Sequence, residues 1–371
     1  MTDDLLVYGA SGFTGELIAR RAAAEGLAPT VAGRRAEPLE ALATTLDLQH
    51  RVFSLAHDDV VERRVADADV LLNCAGPFRK TAEPLESACL EAGTDYLDIA
   101  GDVGVLEWLA EQDSAATGRG ITVLPGVGLD VVATDCLAAM LHDELLDARQ
   151  LTLAIDELGT FSPGTLKSIV DGMDRPGAVR EHGTLRTVPM AWKRREFEFE
   201  GEPTTAITVP WGEVSTGYYT TGIPNIETYA TVPPVVATLF ERGRPLMPLV
   251  QSGVGQSLLK TAIDAMVSGP TVAERRQSET HVHGEVLAED GRRATARLRT
   301  PDTYDLTAMT AVEAAKRTIS GEVDAGFMTP ASAFGATFIT GFDGVHATTG
   351  GVDQARAPSE PQPIVDTDPA A

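Results

Sequence analysis

The stretch LLVYGASGFTGELIARR, residues 5–21, constrains this chain more than any other: an apolar run, three glycines spaced by three, then a helical pattern. Gly9, Gly12 and Gly15 stand between a strand ending at Tyr8 and a helix beginning near Phe13. A strand that turns directly into a helix uses the first glycine for the tight turn and the third for close helix packing. The second lets a ligand's phosphates approach the backbone. The helix start offers N–H groups and a partial positive charge to those phosphates, and Ser11 and Thr14 add hydroxyl donors. A glycine-rich structural turn explains the same spacing, so both readings stand until the surrounding pattern is read.

That pattern is one of short apolar runs alternating with helical segments. Leu5 to Tyr8, Pro29 to Ala32, Arg51 to Leu55, Val70 to Asn73, Tyr96 to Ile99 and Ile121 to Leu124 read as strands. Ala36 to Leu46, Ala82 to Ala92 and Val105 to Thr117, rich in Ala, Leu and Glu, read as helices. The expected fold class is α/β: an N-terminal Rossmann domain, a doubly wound parallel sheet, over residues 1–130. After a helix from Val131 to His142 the texture changes. LTLAIDEL, REFEFEG, TTAITVP and ETYATV alternate like half-exposed antiparallel strands, and ETHVHGEVLAEDG with RRATARLRT reads as a hairpin around Asp290 and Gly291. With a helix from Leu306 to Ile319, residues 131–325 are expected to form an inserted mixed α/β domain for substrate or oligomerisation, built round an antiparallel sheet. Gly326 to Phe342 reads as a buried helix returning to the Rossmann domain within residues 326–350. The acidic, Pro-rich tail, residues 351–371, reads as disordered.

Composition excludes several classes of partner. The net charge is −24, and Lys80, Lys167, Lys193, Lys260 and Lys316 are all the lysines. Phosphate contacts with nucleic acid need a positive field, so nucleic acid is not an expected ligand. Carboxylates spread over the whole chain read as a solvated acidic surface, of the kind suited to a halophilic cytoplasm. No window reaches the roughly 18 apolar residues of a membrane span, which leaves peripheral contact as the only expected use of a membrane. MTDDLL lacks the features of a signal peptide, so a cytoplasmic location is expected. Cys74, Cys89 and Cys136 are too scattered for a disulfide framework or a CxxC metal site, and no metal is expected.

The end of the second strand discriminates between cofactors. A free ribose 2′-OH is met by Asp or Glu about 20 residues after the glycines; this chain has Gly33, Arg34 and Arg35 there. Two guanidinium groups suit a 2′-phosphate and adenine stacking, which favours NADP over NAD. At the end of the fourth strand, NCAGPF, residues 73–78, forms either a plain connection or an edge against the ribose and nicotinamide.

These residues carry a resemblance. GASGFTG, AGRR, NCAGPF, EAGTDYLDIAGD and LPGVGLDVVATDCLA look like the saccharopine dehydrogenase-like oxidoreductases, while LGTFSPGTLKSIVDGM and VREHG resemble their trans-acting enoyl reductase branch. MTPASAFG is similar to the family's returning helix. The resemblance implies an NADP-binding Rossmann domain in which Gly9, Ser11, Gly12, Phe13, Thr14 and Gly15 hold the pyrophosphate. It further implies Arg34 and Arg35 at the adenosine phosphate, with Asn73, Ala75, Gly76 and Pro77 facing the nicotinamide. The chain departs from the family at Arg79, Lys80, Thr81 and Ala82, where a Leu-Tyr-Gly turn is usual, and at Asp102, where Glu is usual.

No tyrosine has a lysine four positions later, which excludes the short-chain dehydrogenase mechanism, and GxSxG is absent. His281 and His283 alternate on an expected strand as exposed structural residues, with no third ligand in view. For hydride transfer the candidate catalytic groups are Tyr96, Asp98, Asp102 and Lys167, with Lys80 within reach of the same edge. A saccharopine-type reaction at a C–N bond needs cations for carboxylates, for which Arg175, Arg180, Arg186, Arg194 and Arg195 are candidates. Reduction of a lipid or isoprenoid double bond needs an apolar pocket, for which Phe161, Met173, Met190, Trp192, Trp211, Tyr218 and Tyr219 are candidates. The branch of the resemblance favours the second, with a small-molecule or lipid-like substrate and a homodimer as expected partners. A non-catalytic NADP-binding redox sensor is the alternative outside the enzymes.

Overall fold

The computed structural model describes residues 3–157, 162–172, 175–199, 201–231, 253–267, 269–354 and 362–363. Contacts divide the chain into two units, residues 1–136 with 302–343 and residues 137–301 with 344–371.

In the first unit, β1 (Asp3–Tyr8), β2 (Thr30–Gly33), β3 (His50–Val52), β4 (Ala68–Asn73), β5 (Asp95–Asp98) and β6 (Thr122–Leu124) form a parallel sheet. Their order, β3-β2-β1-β4-β5-β6, reverses direction at β1 and β4. That reversal opens a crevice at the carboxyl ends of the two strands, where ligands bind in open α/β sheets. Apart from the edge strand β3, which is largely exposed, the runs are buried on both faces because helices cover both. Leu5 and Val7 pack with Ile18, Ala22 and Val70, while Leu6 and Tyr8 pack with Leu71, Leu85 and Cys89. The helices are α1 (Phe13–Ala24), α2 (Ala36–Leu46), α3 (Asp58–Val65), α4 (Ala82–Ala92), α5 (Val103–Glu111), α6 (Asp113–Arg119) and α7 (Leu129–Glu144). The single helix expected from Val105 to Thr117 is therefore two. They part at Gln112, and the Asp113 carboxylate accepts the Phe327 N–H at 2.9 Å.

The second unit is built on a mixed sheet. It contains β7 (Ala148–Glu157), β8 (Gly177–Glu181), β9 (Thr184–Val188), β10 (Lys193–Phe199), β11 (Glu202–Thr208), β12 (Asn225–Thr231), β13 (Glu279–Ala288) and β14 (Arg292–Pro301). Most pairs are antiparallel, but β7 and β12 run parallel. The hairpin of β13 and β14 turns at Gly291, whose φ of +85° suits glycine. Helices α8 (Pro163–Gly172), α9 (Glu213–Thr221), α10 (Gly253–Met266) and α11 (Val272–Arg275) lie between these strands in the chain.

The chain then re-enters the first unit through α12 (Thr303–Ile319), β15 (Gly326–Phe327) and α13 (Pro330–Phe334). This differs from the expectation that α12 belongs with residues 131–325: Ala308, Ala311, Val312 and Ala315 lie in the core cluster of Leu5, Val7 and Ile18. The Phe13 and Tyr304 rings meet edge to face at 5.0 Å. The buried helix expected from Gly326 to Phe342 is instead β15, which pairs with β6, then the short α13 and a 3₁₀ turn. Apolar character marks burial there, but a capping box of Thr329 and Ser332 starts α13 and Gly335 follows its last residue. The tail expected to be disordered begins inside β16 (His346–Gln354), and β17 (Gln362–Pro363) pairs with Lys193 and Arg194. Residues 355–361 and 364–371 lie outside the described residues.

His281 and His283 are only 6% and 8% exposed, contrary to the exposed positions expected of them. Alternation puts them on one face of β13, and Phe197 of β10 covers that face, its ring 5.5 Å from the His283 ring. Burial lowers His283 to about 4, so it is neutral at physiological pH.

Candidate cofactor site

The site forms where β1 and β4 end. Gly9 has φ +89°, and a Cβ on it would stand 2.7 Å from the Ala75 nitrogen. A Cβ on Gly15 would stand 2.4 Å from the Gly9 carbonyl oxygen. The two glycines thus let the turn press against the β4 connection on one side and α1 on the other. The Gly9 N–H donates to the Ala32 carbonyl at 2.8 Å, tying the turn to β2. Gly12 is the N-cap of α1 and supplies no side-chain cap, so the helix start faces the turn without a competing oxygen of its own. Such a cradle accommodates a pyrophosphate, with Ser11, Phe13 and Thr14 around it.

Arg34 and Arg35 follow β2 and are exposed. Arg35 Nη2 donates to the Ser11 carbonyl at 3.0 Å, closing the turn from the side. Burial pushes the Tyr8 phenol up to about 12, while the Arg34 charge pulls it down. The two arginines therefore stand at the rim of the glycine turn, a cationic edge able to take a 2′-phosphate.

Across the crevice, Asn73, Ala75, Gly76 and Pro77 continue from β4, with a cis peptide between Gly76 and Pro77. Asn73 is fully buried; its Oδ1 accepts the Ala75 N–H at 3.0 Å, and its Nδ2 donates to Thr81 Oγ1 and to the Tyr96 hydroxyl, both at 3.2 Å. Thr81 Oγ1 in turn donates to the Ala75 carbonyl at 2.6 Å. Tyr96 and Asp98 are equally buried, and the Tyr96 hydroxyl donates to Asp98 Oδ2 at 2.8 Å. Asp98 Oδ1 accepts the Ala100 and Gly126 N–H groups at 2.9 and 3.0 Å. Burial pushes the Asp98 carboxyl up to about 6 against these donors. The network stitches the ends of β4 and β5 to the turn after β6.

Asp102 caps α5 by accepting the Gly104 N–H at 3.0 Å, and its Oδ2 lies 2.5 Å from Arg79 Nη2. Lys80 is exposed in the 3₁₀ turn just beyond Arg79. Lys167 lies on α8 of the second unit. The fold thus brings Tyr96 and Asp98 together with Asn73, sets Asp102 on Arg79, and carries Lys167 on the other unit. Two residues escaped the sequence reading. Thr81 sits in the departing RKTA turn, where no motif marks it. Asp130 stands in the first turn of α7, where acids are common, and its carboxylate lies 4.0 Å from where a Cβ on Gly101 would be. It is exposed on the carboxyl edge of the sheet.

The substrate candidates of the second unit are largely engaged. Arg180 is buried, donates to the Val214 carbonyl at 2.7 Å and stacks 4.3 Å over the Tyr218 ring. Arg186 grips Glu181 with two contacts of 2.7 Å, and Arg195 pairs with Glu285 at 2.9 Å. Arg175 and Arg194 have partners as well. Trp192 carries the Lys193 ammonium 4.2 Å over its ring. Phe161 and Met173 lie outside the described residues. No described helix is long and apolar enough to cross a membrane.

Residues 5–124 match the family of saccharopine dehydrogenase NADP binding domains. The chain is 28% identical over 210 residues to a saccharopine dehydrogenase-like oxidoreductase of Mus musculus, covering 50% of this chain and 48% of that protein. It therefore spans about half the length of that relative. A trans-acting enoyl reductase of Mycobacterium bovis is 30% identical over 140 residues, 36% of this chain and 34% of that protein. In fold, the chain is similar to apo saccharopine dehydrogenase (L-Glu forming) of Saccharomyces cerevisiae. The TM-score is 0.63 at 14% identity, covering 94% of this chain and 99% of the other.

Proposed function

We propose, for a chain that belongs through its NADP-binding domain to the saccharopine dehydrogenase-like oxidoreductases, that it reduces a C=C bond of a lipid or isoprenoid-type substrate with NADPH. The observation that carries the cofactor assignment is the glycine turn that Gly9 and Gly15 hold open, rimmed by Arg34 and closed by Arg35. Ser11, Gly12, Phe13 and Thr14 hold the pyrophosphate, the two arginines take the 2′-phosphate, and Asn73, Ala75, Gly76 and Pro77 border the nicotinamide. NADPH supplies the hydride when bound.

The protein's own part is to orient and to deliver a proton. Tyr96 and Asp98 have no solvent exposure, which suits them to hold the sheet edge in shape rather than to touch substrate. Asp102, tied to Arg79, orients the turn after β4. Asp130 is exposed at this edge, where a carboxyl can meet a substrate and pass a proton to it. We assign the proton donor to Asp130 and keep Lys167 as the second candidate. The engaged arginines favour an apolar substrate over a dicarboxylate, since Arg180, Arg186 and Arg195 already hold partners. The name of the Mycobacterium bovis relative points the same way.

The test is fluorescence titration with NADPH and NADH, followed by NADPH consumption with enoyl lipids and with lysine plus keto acids. Tight NADPH binding and turnover of the enoyl lipids are expected. Arg34→Ala, which leaves the Arg35 contact to the turn in place, is expected to weaken NADPH by about 1–3 kcal/mol, as loss of charged hydrogen bonds does, and to leave NADH nearly unchanged. Turnover of the lysine mixture alone assigns the C–N reaction instead. Binding with no turnover assigns a sensor, and no NADPH binding removes the whole reading.

A further inference from the structure

The second unit carries a cationic depression remote in sequence from every residue assigned above. On the face of the sheet that bears His283, cross-strand pairing sets His281 of β13 opposite Arg299 of β14, and Arg299 opposite His346 of β16. One step along, Arg297 stands opposite Thr348. Phe199 of β10 joins these side chains, and together they line a cavity of about 200 Å³. Three neighbouring strands thus present two guanidinium groups and two imidazoles beside one aromatic ring, in a chain whose net charge is −24.

Two ion pairs of the same sheet are short and covered, and those at the depression are not. Arg195 and Glu285 meet at 2.9 Å and Lys193 and Glu227 at 2.5 Å, on side chains that are mostly covered. Arg297 reaches Glu198 only at 3.5 Å, and Arg299 reaches Glu279 only at 3.5 Å. His281 Nε2 is 3.7 Å from the same Glu279. The two arginine side chains are 47% and 46% exposed, and Glu198 and Glu279 are 65% and 45% exposed. Each guanidinium has five N–H donors in a planar fork, and one long contact uses little of that capacity. Both carboxylates can turn outward into water and leave the forks to a better acceptor.

We infer that this depression binds a small organic oxyanion, a phosphate ester or a carboxylate, with its charged head on Arg297 and Arg299 and an apolar body against Phe199. The cavity exceeds what a bare phosphate fills, given about 30 Å³ for each water-sized group. The acidity of the whole chain does not forbid the site, because charges beyond about 10 Å are screened at 0.1 M salt while the forks act in contact. The inference does not depend on the reaction proposed above.

Calorimetric titration of the full chain with phenyl phosphate, benzoate and inorganic phosphate tests it, in the presence of saturating NADP so that the glycine cradle is filled. Phenyl phosphate or benzoate is expected to bind with one site per chain, and the stronger of the two identifies the head group. Arg297→Gln with Arg299→Gln is expected to weaken that binding at least about tenfold. His346→Ala, on the exposed edge strand, is expected to weaken it less and serves if the double variant does not fold. Histidine ring resonances of the wild-type chain report the contact directly and should shift on titration. Equal binding by the double variant, unshifted histidine resonances, or absence of binding by both organic anions overturns the inference. Inorganic phosphate binding as tightly as phenyl phosphate overturns the apolar part of it. Repeating the titration on Arg34→Ala without NADP separates this site from the cofactor cradle, because only the cradle is damaged there.

Discussion

Gly15 has a hydrogen where a methyl group would come within 2.4 Å of the Gly9 carbonyl oxygen. An alanine there must push α1 away from the turn, because neither backbone segment has slack. Gly15→Ala is therefore expected to cost about 1–3 kcal/mol of stability and to weaken NADPH binding at least about tenfold, read by thermal unfolding and fluorescence titration. Unchanged NADPH affinity in a folded variant would count against the cradle. Glu86 poses the opposite problem, a side chain that should be replaced. It is fully buried on α4, both carboxylate oxygens are without a hydrogen-bond partner, and burial aided by Glu83 pushes it up to about 7. Its unfolded value is about 4.3, so the native state holds the extra proton between these values and loses stability as pH rises through them. Glu86→Met is expected to raise the unfolding midpoint at pH 8 and to gain much less at pH 5. Equal gains at both pH values would show that ionisation of Glu86 is not the cause.

At the scale of elements, the strand ends are held by Asn73, Tyr96 and Asp98 in a network that sequence spacing does not reveal. Tyr96→Phe removes the donor to Asp98 Oδ2 and one acceptor of Asn73. A deficit of about 1–3 kcal/mol is expected, larger above pH 6, where Asp98 is ionised and the lost donor matters most. Unfolding midpoints of both proteins from pH 5 to 8 measure it. Five of the six strands of the first sheet were legible as apolar runs buried on two faces with turn chemistry at their ends, whereas β3, His50–Val52, is largely exposed and starts one residue before the run expected from Arg51 to Leu55. The fate of α12 was not: periodicity identifies its apolar face, Ala308, Ala311 and Ala315, but not which core receives it. The same limit applies to His281 and His283, since alternation assigns a face and cannot say that Phe197 lies over it. The glycine turn and the two arginines after β2 were readable from spacing, and the fold sets Arg35 against the turn. Thr81 was not, because its role comes from contacts made in the fold with Asn73 and the Ala75 carbonyl.

At the scale of the whole molecule, the first unit is assembled from two stretches, residues 1–136 and 302–343, with most of the second unit between them. The Leu129 N–H donates to Thr307 Oγ1 at 3.0 Å, and the Thr310 hydroxyl donates to the Val127 carbonyl at 2.7 Å. Residues 1–136 alone lack α12 and β15 and are expected to stay molten or aggregate. Joined to residues 302–343 by a flexible Gly/Ser linker of about 12 residues, they are expected to fold and bind NADPH. Circular dichroism and NADPH titration of the two pieces test this, and a well-folded piece ending at residue 136 would overturn it.

The pairing of β15 with β6 also has a consequence in time. Phe327 completes the edge beside Val123, so a chain emerging from the ribosome has made its whole glycine turn long before the last strand of that sheet exists. At roughly 5–20 residues per second, the interval between the two strands lasts about 10–40 seconds. Through that interval the core face that α12 will cover has no permanent neighbour, and the newborn chain depends on whatever shields it.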